Sequence, residues 1–432
     1  METRETKTAP TPQPAPPLVA WVGLDWADQK HVLCLQAVDS EQVESIVLEQ
    51  KPEVLGEWIS QLRRRFPQGR VAIALEQSRG GLLYALLEYE FLVLYPVPPK
   101  SLARYREAFY PSGGKNDPVD AELLLEMLRT HGDRLSAWVP DDVATRQLRL
   151  LAERRRQLVN QRTRLTNRLT ALLKEYFPQA LEWAGPLGSP EACEFLTRWP
   201  TLQALQQAPS SEVRHFYLAQ GARQVEGWAQ RGEEIRRAQP LTSDPAITEA
   251  SALLAESLAE QIRSLLPGLK RFDQALQEKS KQHPDYEIFA SFPGAGEVLA
   301  PRLLVAWGSD RQRYQKAAEM QSFSGIAPVT EQSGKSCWVH WRMACPKFLR
   351  QSFHEFAGQS RLRSVWARAY YEQRRLRGCG HHAALRALAF KWIRIMYRCW
   401  KDRTPYDERL YLEALRRHTS PLLSARPSSH TT

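Results

Sequence analysis

The feature that most constrains this sequence is a series of short apolar runs between residues 18 and 95, separated by polar turns and helical stretches. Leu18–Gln29, Lys30–Asp39 and Gln42–Gln50 alternate in strand fashion and read as a β-meander. Val54–Arg65 has helical spacing, Val71-Ala-Ile-Ala-Leu75 reads as a buried strand, and Gly81–Tyr89 as a further helix. Phe91–Tyr95 reads as another strand, ended by Pro96, Pro98 and Pro99. Three strands followed by alternating helices and strands specify an α/β domain over residues 18–138.

From about Asp142 the pattern becomes helical. Leu148, Leu151, Leu158, Leu165, Leu169 and Leu172 recur at a spacing of 3 or 4, with Arg155 and Arg162 in the same seam. Arg146–Lys174 contains nine Lys/Arg and one acid, Glu153. Two readings stay open: a solvated helical hairpin packed on its neighbour, or a basic coiled coil that pairs protomers along nucleic acid. Ile247–Lys279 reads as a further helix. Residues 139–285 are therefore expected as a helical/coiled-coil region, 286–400 as a third region, and 1–17 and 401–432 as tails.

No stretch reaches the roughly 18 to 20 apolar residues needed to span a membrane, and the Pro-rich start has no apolar signal core. The six cysteines lack CxxC pairs, which fits reduced thiols in a cytosol. Lys and Arg number 59 against 48 Asp and Glu, a net charge of +11 that suits a polyanionic partner.

Acidic residues give the charge a chemical direction. Asp25 lies on the first strand, Glu76 ends the buried strand, and Asp117 and Asp120 sit in Lys115-Asn-Asp-Pro-Val-Asp-Ala121 at the start of a helix. The i,i+3 spacing places both aspartates on one helical face if Pro118 occupies the first turn. Singly, each acid is as well explained as a turn former, a helix cap or a surface group. The order strand-Asp, strand-Glu, helix-Asp-x-x-Asp matches the way an RNase H-type fold gathers acids for a hard cation such as Mg2+.

Gly-Leu-Asp25, Ala-Leu-Glu76-Gln-Ser-Arg-Gly and Lys115-Asn-Asp117-Pro-Val-Asp120-Ala resemble the DEDD motifs of a bacterial insertion-sequence transposase family. Its members join a RuvC-like N-terminal domain to a C-terminal domain with an active serine, and some are bridge-RNA-guided recombinases. Phe292-Pro-Gly-Ala-Gly-Glu-Val-Leu-Ala300, Phe323-Ser-Gly-Ile-Ala-Pro328, Gln332-Ser333-Gly334-Lys335 and the closing Gly380-His-His-Ala-Ala-Leu-Arg-Ala-Leu-Ala389 are similar to that second domain, so the resemblance spans roughly residues 18–400. It implies an α/β RNase H-like (RuvC-like) domain, a long helical/coiled-coil region and a mainly α-helical C-terminal domain. It implies Mg2+ (or Mn2+) held by Asp25, Glu76, Asp117 and Asp120, and a serine-linked DNA intermediate. Double-stranded donor and target DNA, a structured guide RNA and further copies of the chain (dimer or tetramer) are the implied partners, in the bacterial cytoplasm beside the nucleoid.

After Lys335 the family's glycine-rich basic run is replaced by Ser336-Cys-Trp-Val-His-Trp-Arg-Met-Ala-Cys-Pro-Lys-Phe-Leu-Arg350. Ser324, Ser333 and Ser336 all lie near the expected nucleophile, and Ser333, before a glycine in a polar turn, matches the family best. Candidate nucleic-acid contacts are Lys115, Arg155, Arg162, Gly294, Gly296, Lys335, Arg342, Lys347 and Arg350. Residues 361–403 interleave twelve Lys/Arg with aromatics, which suits stacking on bases, although helical spacing assigns several of those rings to a core. The leading expectation is a DNA transposase/recombinase. The alternatives are a metal-dependent, Holliday-junction-resolvase-like nuclease without serine chemistry, and a non-catalytic nucleic-acid-binding protein.

Overall fold

The computed structural model describes residues 16–76, 80–109, 117–219 and 225–418. Most of the expected tail at 1–17, the candidate contact Lys115, the side chain of Asp117 and residues 419–432 lie outside the described residues. The chain divides into two units, Met1–Pro140 and Asp141–Thr432.

The first unit is a mixed α/β layer structure. Strands β1 (Leu18–Asp25), β2 (Lys30–Ala37), β3 (Val43–Glu49), β4 (Arg70–Leu75) and β5 (Leu92–Pro96) form one sheet in the order β3-β2-β1-β4-β5. β1, β2 and β3 pair antiparallel, as a meander requires, whereas β4 and β5 join parallel to β1. Crossovers through α1 (Pro52–Arg65) and α2 (Gly81–Leu86) make the parallel pairs possible. β4 is apolar along its length because both its faces are covered, and β3 at the edge alternates with solvent.

The two faces sort by parity. Ala20, Val22, Leu24, Val71, Ile73 and Leu75 pack with α1 and α2. Ala72 and Ala74 turn to the other face, against α3 (Pro99–Phe109) and α4 (Asp117–His131). Gly23 lies on that second face: a Cβ there would stand 2.0 Å from the Ala121 carbonyl oxygen and 2.5 Å from the Leu125 nitrogen. Only glycine lets α4 lie this close to β1.

The second unit is mostly helical. α5 (Val143–Tyr176) and α11 (Pro245–Lys281) run antiparallel, with Leu148 and Ala152 near Leu276, and Leu165 and Leu169 near Ala255, Leu258 and Ile262. Of the two open readings of the leucine seam, a helix packed on a neighbour in its own chain matches the structure, since α11 fills the seam over much of its length. The sequence signal cannot tell the two apart, since a heptad stripe is satisfied by any helix that packs on it. Around one end of the pair gather α6 (Ala180–Trp183), α7 (Pro190–Arg198), α8 (Leu202–Gln207), α9 (Ser210–Ala219) and α10 (Val225–Arg237). Around the other end lie α12 (Tyr286–Ala290), α13 (Gly296–Trp307), α14 (Ala317–Phe323), α15 (Lys347–Arg363), α16 (Val365–Leu376) and α17 (His381–Asp402). Trp307, Trp366, Trp392 and Trp400 are fully buried in that second core. A hairpin, β6 (Val329–Ser333) and β7 (Ser336–His340), stands between α14 and α15 in the chain.

The stretch from residue 401, expected as a tail, is structured in its first part. α17 ends at Asp402, Tyr406 accepts a 2.8 Å hydrogen bond from Trp366 Nε1, and α18 (Glu408–Arg417) rests Tyr411, Leu412 and Leu415 on the core. The Ser-, Pro- and Thr-rich end of the chain masks this short amphipathic helix in a reading by composition.

Gly23→Ala is expected to destabilise the protein by at least about 2 kcal/mol, since the new methyl meets backbone that cannot swing aside. Gly56→Ala in α1, where a Cβ meets nothing within 4 Å, is expected to be neutral or stabilising by up to about 1 kcal/mol. Urea melts of the two variants check the contrast, and equal midpoints would refute the close packing of α4 on β1.

Candidate active site

The sheet's own alternation builds the acidic site. Asp25 follows Gly23 by two residues and Glu76 follows Ala74 by two, so both carboxylates take the α4 side, at the ends of two neighbouring parallel strands. α4, drawn in by Gly23, delivers Asp120 from its first turn, one residue before Ala121. Carboxylate oxygens of Asp25, Glu76 and Asp120 lie within 4.8 Å of one another, and this is the one such group among the described residues. Asp25 is 9% exposed and Asp120 fully buried.

Three carboxylates at this range repel one another by about 3 kcal/mol per pair at an effective dielectric constant of ~20. A cation must offset that. Arg106 on α3 offsets part of it, donating to Asp120 Oδ1 from Nε at 2.7 Å and from a terminal nitrogen at 2.5 Å. The second oxygen, Asp120 Oδ2, is buried and has no hydrogen-bond partner among the described residues. An unsatisfied buried oxygen on a carboxylate grouped with two more acids fits a hard divalent cation, which takes oxygen ligands and completes its shell with water.

Sequence reading missed both Gly23 and Arg106. The signal for Arg106 was present: Pro98-Pro99, taken as the end of a strand, also opens α3, because proline suits the first turn of a helix.

In the second unit Ser333 and Ser336 are the last paired residues of the β6–β7 hairpin, joined by the two-residue turn Gly334-Lys335, with Gly334 at φ +55°. Both serines and Lys335 are exposed. Ser324 is fully buried behind α14, where its hydroxyl reaches the Gln321 carbonyl.

The other candidates are variously placed. Gly294 (φ +83°) lies against the backbone of Gln359, which a Cβ would approach to 2.9 Å, so the Pro-Gly-Ala-Gly turn has a packing reason for its first glycine. Gly296 (φ +53°) opens α13 and faces open space. Arg155 is ion-paired with Asp273, while Arg162 lies beside Gly188 and Lys347 is exposed at the start of α15. Arg342 donates to the Pro328 carbonyl at 3.5 Å, and Arg350 stacks on Trp341 with 4.6 Å from guanidinium carbon to ring centroid.

Carboxylates gathered at the ends of parallel strands are a donor set suited to a divalent metal ion. Comparison with known proteins sharpens this to a family. Residues 22–178 match the DEDD transposase domain of IS110 type, and residues 286–372 match the transposase domain of the IS116/IS110/IS902 family. The mini-circle protein of Streptomyces coelicolor named as the candidate transposase for IS117 is 28% identical over 417 residues, 94% of this chain and 98% of its own length. The IS116 protein of Streptomyces clavuligerus is 28% identical over 386 residues, 89% of this chain and 95% of its own. A pilin gene-inverting protein of Moraxella bovis is 28% identical over 138 residues, covering 29% of this chain and 39% of that protein. The chain belongs to the IS110/IS116 transposases, enzymes that cut and rejoin DNA.

Arg106→Gln is expected to cost about 3 kcal/mol in a chelating buffer, because a fully buried carboxylate loses its counter-charge. Saturating Mg2+ or Mn2+ should recover most of that loss, raising the melting temperature of the variant more than that of the wild type. Asp120→Asn should abolish the metal-induced rise; an equal rise in wild type and Asp120→Asn sinks the site.

Proposed function

We propose that this transposase cuts and exchanges DNA strands with Mg2+ (or Mn2+) held by Asp25, Glu76 and Asp120, with Asp117 as a fourth ligand, and with Ser333 as nucleophile. The reading takes the N-terminal unit as an RNase H-like, RuvC-like domain. The meander of β1, β2 and β3 extended by parallel β4 and β5, with acids at the ends of β1 and β4, supports it. The observation that carries the proposal is the convergence of three carboxylates, one with a buried unsatisfied oxygen, in a chain of a DNA-transposing family.

A bound divalent ion would polarise a phosphodiester oxygen and offset charge gathering at phosphorus. The side chains do the rest. Asp25 and Glu76 hold fixed oxygens at the strand ends, and Arg106 orients Asp120. Ser333 Oγ attacks phosphorus; a serine phosphoester forms as the bond to the leaving deoxyribose oxygen breaks, the serine proton passes to solvent, and the departing oxygen takes one up. Bond energy is kept in the ester, so the hydroxyl of another strand can reverse the step and rejoin DNA. The burial of Ser324 favours the two hairpin serines, and Ser333 keeps the family's serine-before-glycine order. The name of the gene-inverting relative agrees with rejoining rather than simple cutting.

Lys335, Lys347, Arg342 and the turn at Gly294 and Gly296 serve as phosphate contacts in this reading, with donor and target duplexes, a structured guide RNA and further copies of the chain as partners in the bacterial cytoplasm. Among the described residues no helix is long and apolar enough to cross a membrane.

A cellular recombination assay with the element's own flanking DNA tests the proposal. Ser333→Ala and Asp25→Ala are each expected to abolish junction formation, and Ser336→Ala to retain it. Wild type should yield a covalent protein–DNA adduct that Ser333→Ala lacks. Unchanged cleavage by Ser333→Ala would leave a metal-only nuclease, and RNA-free protein that recombines unaided would remove the guide.

A further inference from the structure

Beside the β6–β7 hairpin the second unit holds a cavity of about 540 Å3. Its walls come from Trp341 and Arg342 just after β7, Tyr370 and Arg374 one turn apart on α16, and Arg386 and Phe390 one turn apart on α17. None of the residues lining it is acidic. Among the described residues no carboxylate pairs with Arg342, Arg374 or Arg386.

Arg342 donates to the Pro328 carbonyl, and the other two guanidinium groups lie against rings. The Arg386 carbon lies 4.1 Å from the Trp341 centroid and that of Arg350 lies 4.6 Å from it. Lys391 Nζ stands 4.6 Å from the Tyr370 centroid, and Arg374 5.9 Å from it. Cation–π contacts compensate a desolvated cation only in part. Burial, and Arg350 nearby, push the Arg386 guanidinium below the usual arginine range. The Nε groups of Arg342, Arg350 and Arg374 are buried with no acceptor among the described residues. Phe390, by contrast, shows 36% of its surface, a large apolar ring facing open space. Trp366 and Trp392, from the same basic aromatic stretch, are spent on the core.

Guanidinium groups that line a cavity without a carboxylate partner, around an open aromatic face, call for a ligand that is flat on one side and anionic on the other. A nucleotide has both, and the volume is in the range of small-ligand sites. A base inside a duplex keeps its faces stacked on its neighbours, so only an unpaired nucleotide can use Phe390 and Tyr370 together. We propose that this cavity receives an unpaired DNA nucleotide beside the strand presented to the hairpin. The base lies against Phe390 and Tyr370, the phosphate meets Arg342, Arg374 and Arg386, and Trp341 positions Arg386. The proposal deepens the reading of the hairpin as the strand-cutting element and rests on it for the choice of DNA.

The test uses the full-length chain in a chelating buffer and a DNA duplex with one unpaired 2-aminopurine, a fully paired duplex, and an RNA duplex bearing the same bulge. Fluorescence anisotropy should give tighter binding of the bulged DNA than of the paired one, and 2-aminopurine emission should change on binding. Phe390→Leu, which keeps the apolar bulk, and Arg374→Gln should each weaken bulged-DNA binding about tenfold and leave paired-duplex binding unchanged. Wild-type-like binding of bulged DNA by both variants, provided they melt like wild type, overturns the proposal. So does an equal loss on both DNAs, which would mark a general electrostatic surface, and so does tighter binding of the bulged RNA, which would assign the cavity to RNA. If Ser333→Ala still exchanges strands while Phe390→Leu loses the bulge preference, the cavity stands and the serine assignment falls.

Discussion

The acidic site depends on the contact between β1 and α4 at Gly23. A helix packed on a sheet ordinarily stands off by the thickness of its side chains. Here the Ala121 carbonyl sits where a Cβ would be, so the first turn of α4 comes down onto the strand end and Asp120 joins Asp25 and Glu76. The strand parity that points Gly23 at α4 also points Asp25 there, two residues on. One backbone contact therefore sets both the distance and the direction of the carboxylates, and Arg106 tempers the repulsion that results.

The strands were legible because their core-facing residues alternate or run continuously, and the two acids at strand ends stood out for the same reason. Their convergence was suggested by order alone; the Gly23 contact that enforces it has no period to detect. α3 was missed because its opening prolines end one element as readily as they begin the next. The β6–β7 hairpin was read as a polar turn because its residues are almost all exposed, so no hydrophobic alternation marks the strands. The resemblance of Gln332-Ser333-Gly334-Lys335 to a family motif found the place that pattern reading could not.

The aromatic residues of the C-terminal region show how one composition serves two ends. Trp366 and Trp392 pack on one another and are buried from solvent, whereas Tyr370, one turn after Trp366, and Phe390, two residues before Trp392, meet arginines at an open cavity. Each residue advances about 100° around a helix, so Phe390 falls on the side opposite Trp392, while Tyr370 shares the face of Trp366 one turn further along, where that face reaches the cavity. Counting arginines and rings along the chain cannot separate them.

The path of α5 carries a practical consequence for dissecting this protein. Sequence similarity to the DEDD domain runs on to residue 178, yet Leu165, Leu169 and Leu173 are covered by residues of α7 and α11 that come later in the chain. A fragment ended at the similarity boundary would present a bare leucine stripe on a basic helix, a recipe for aggregation or spurious self-association. Ending it after Pro140 keeps all five strands with the helices that pack on them. The similarity boundary and the boundary of the compact unit thus part company by more than thirty residues, and expression boundaries belong to the latter.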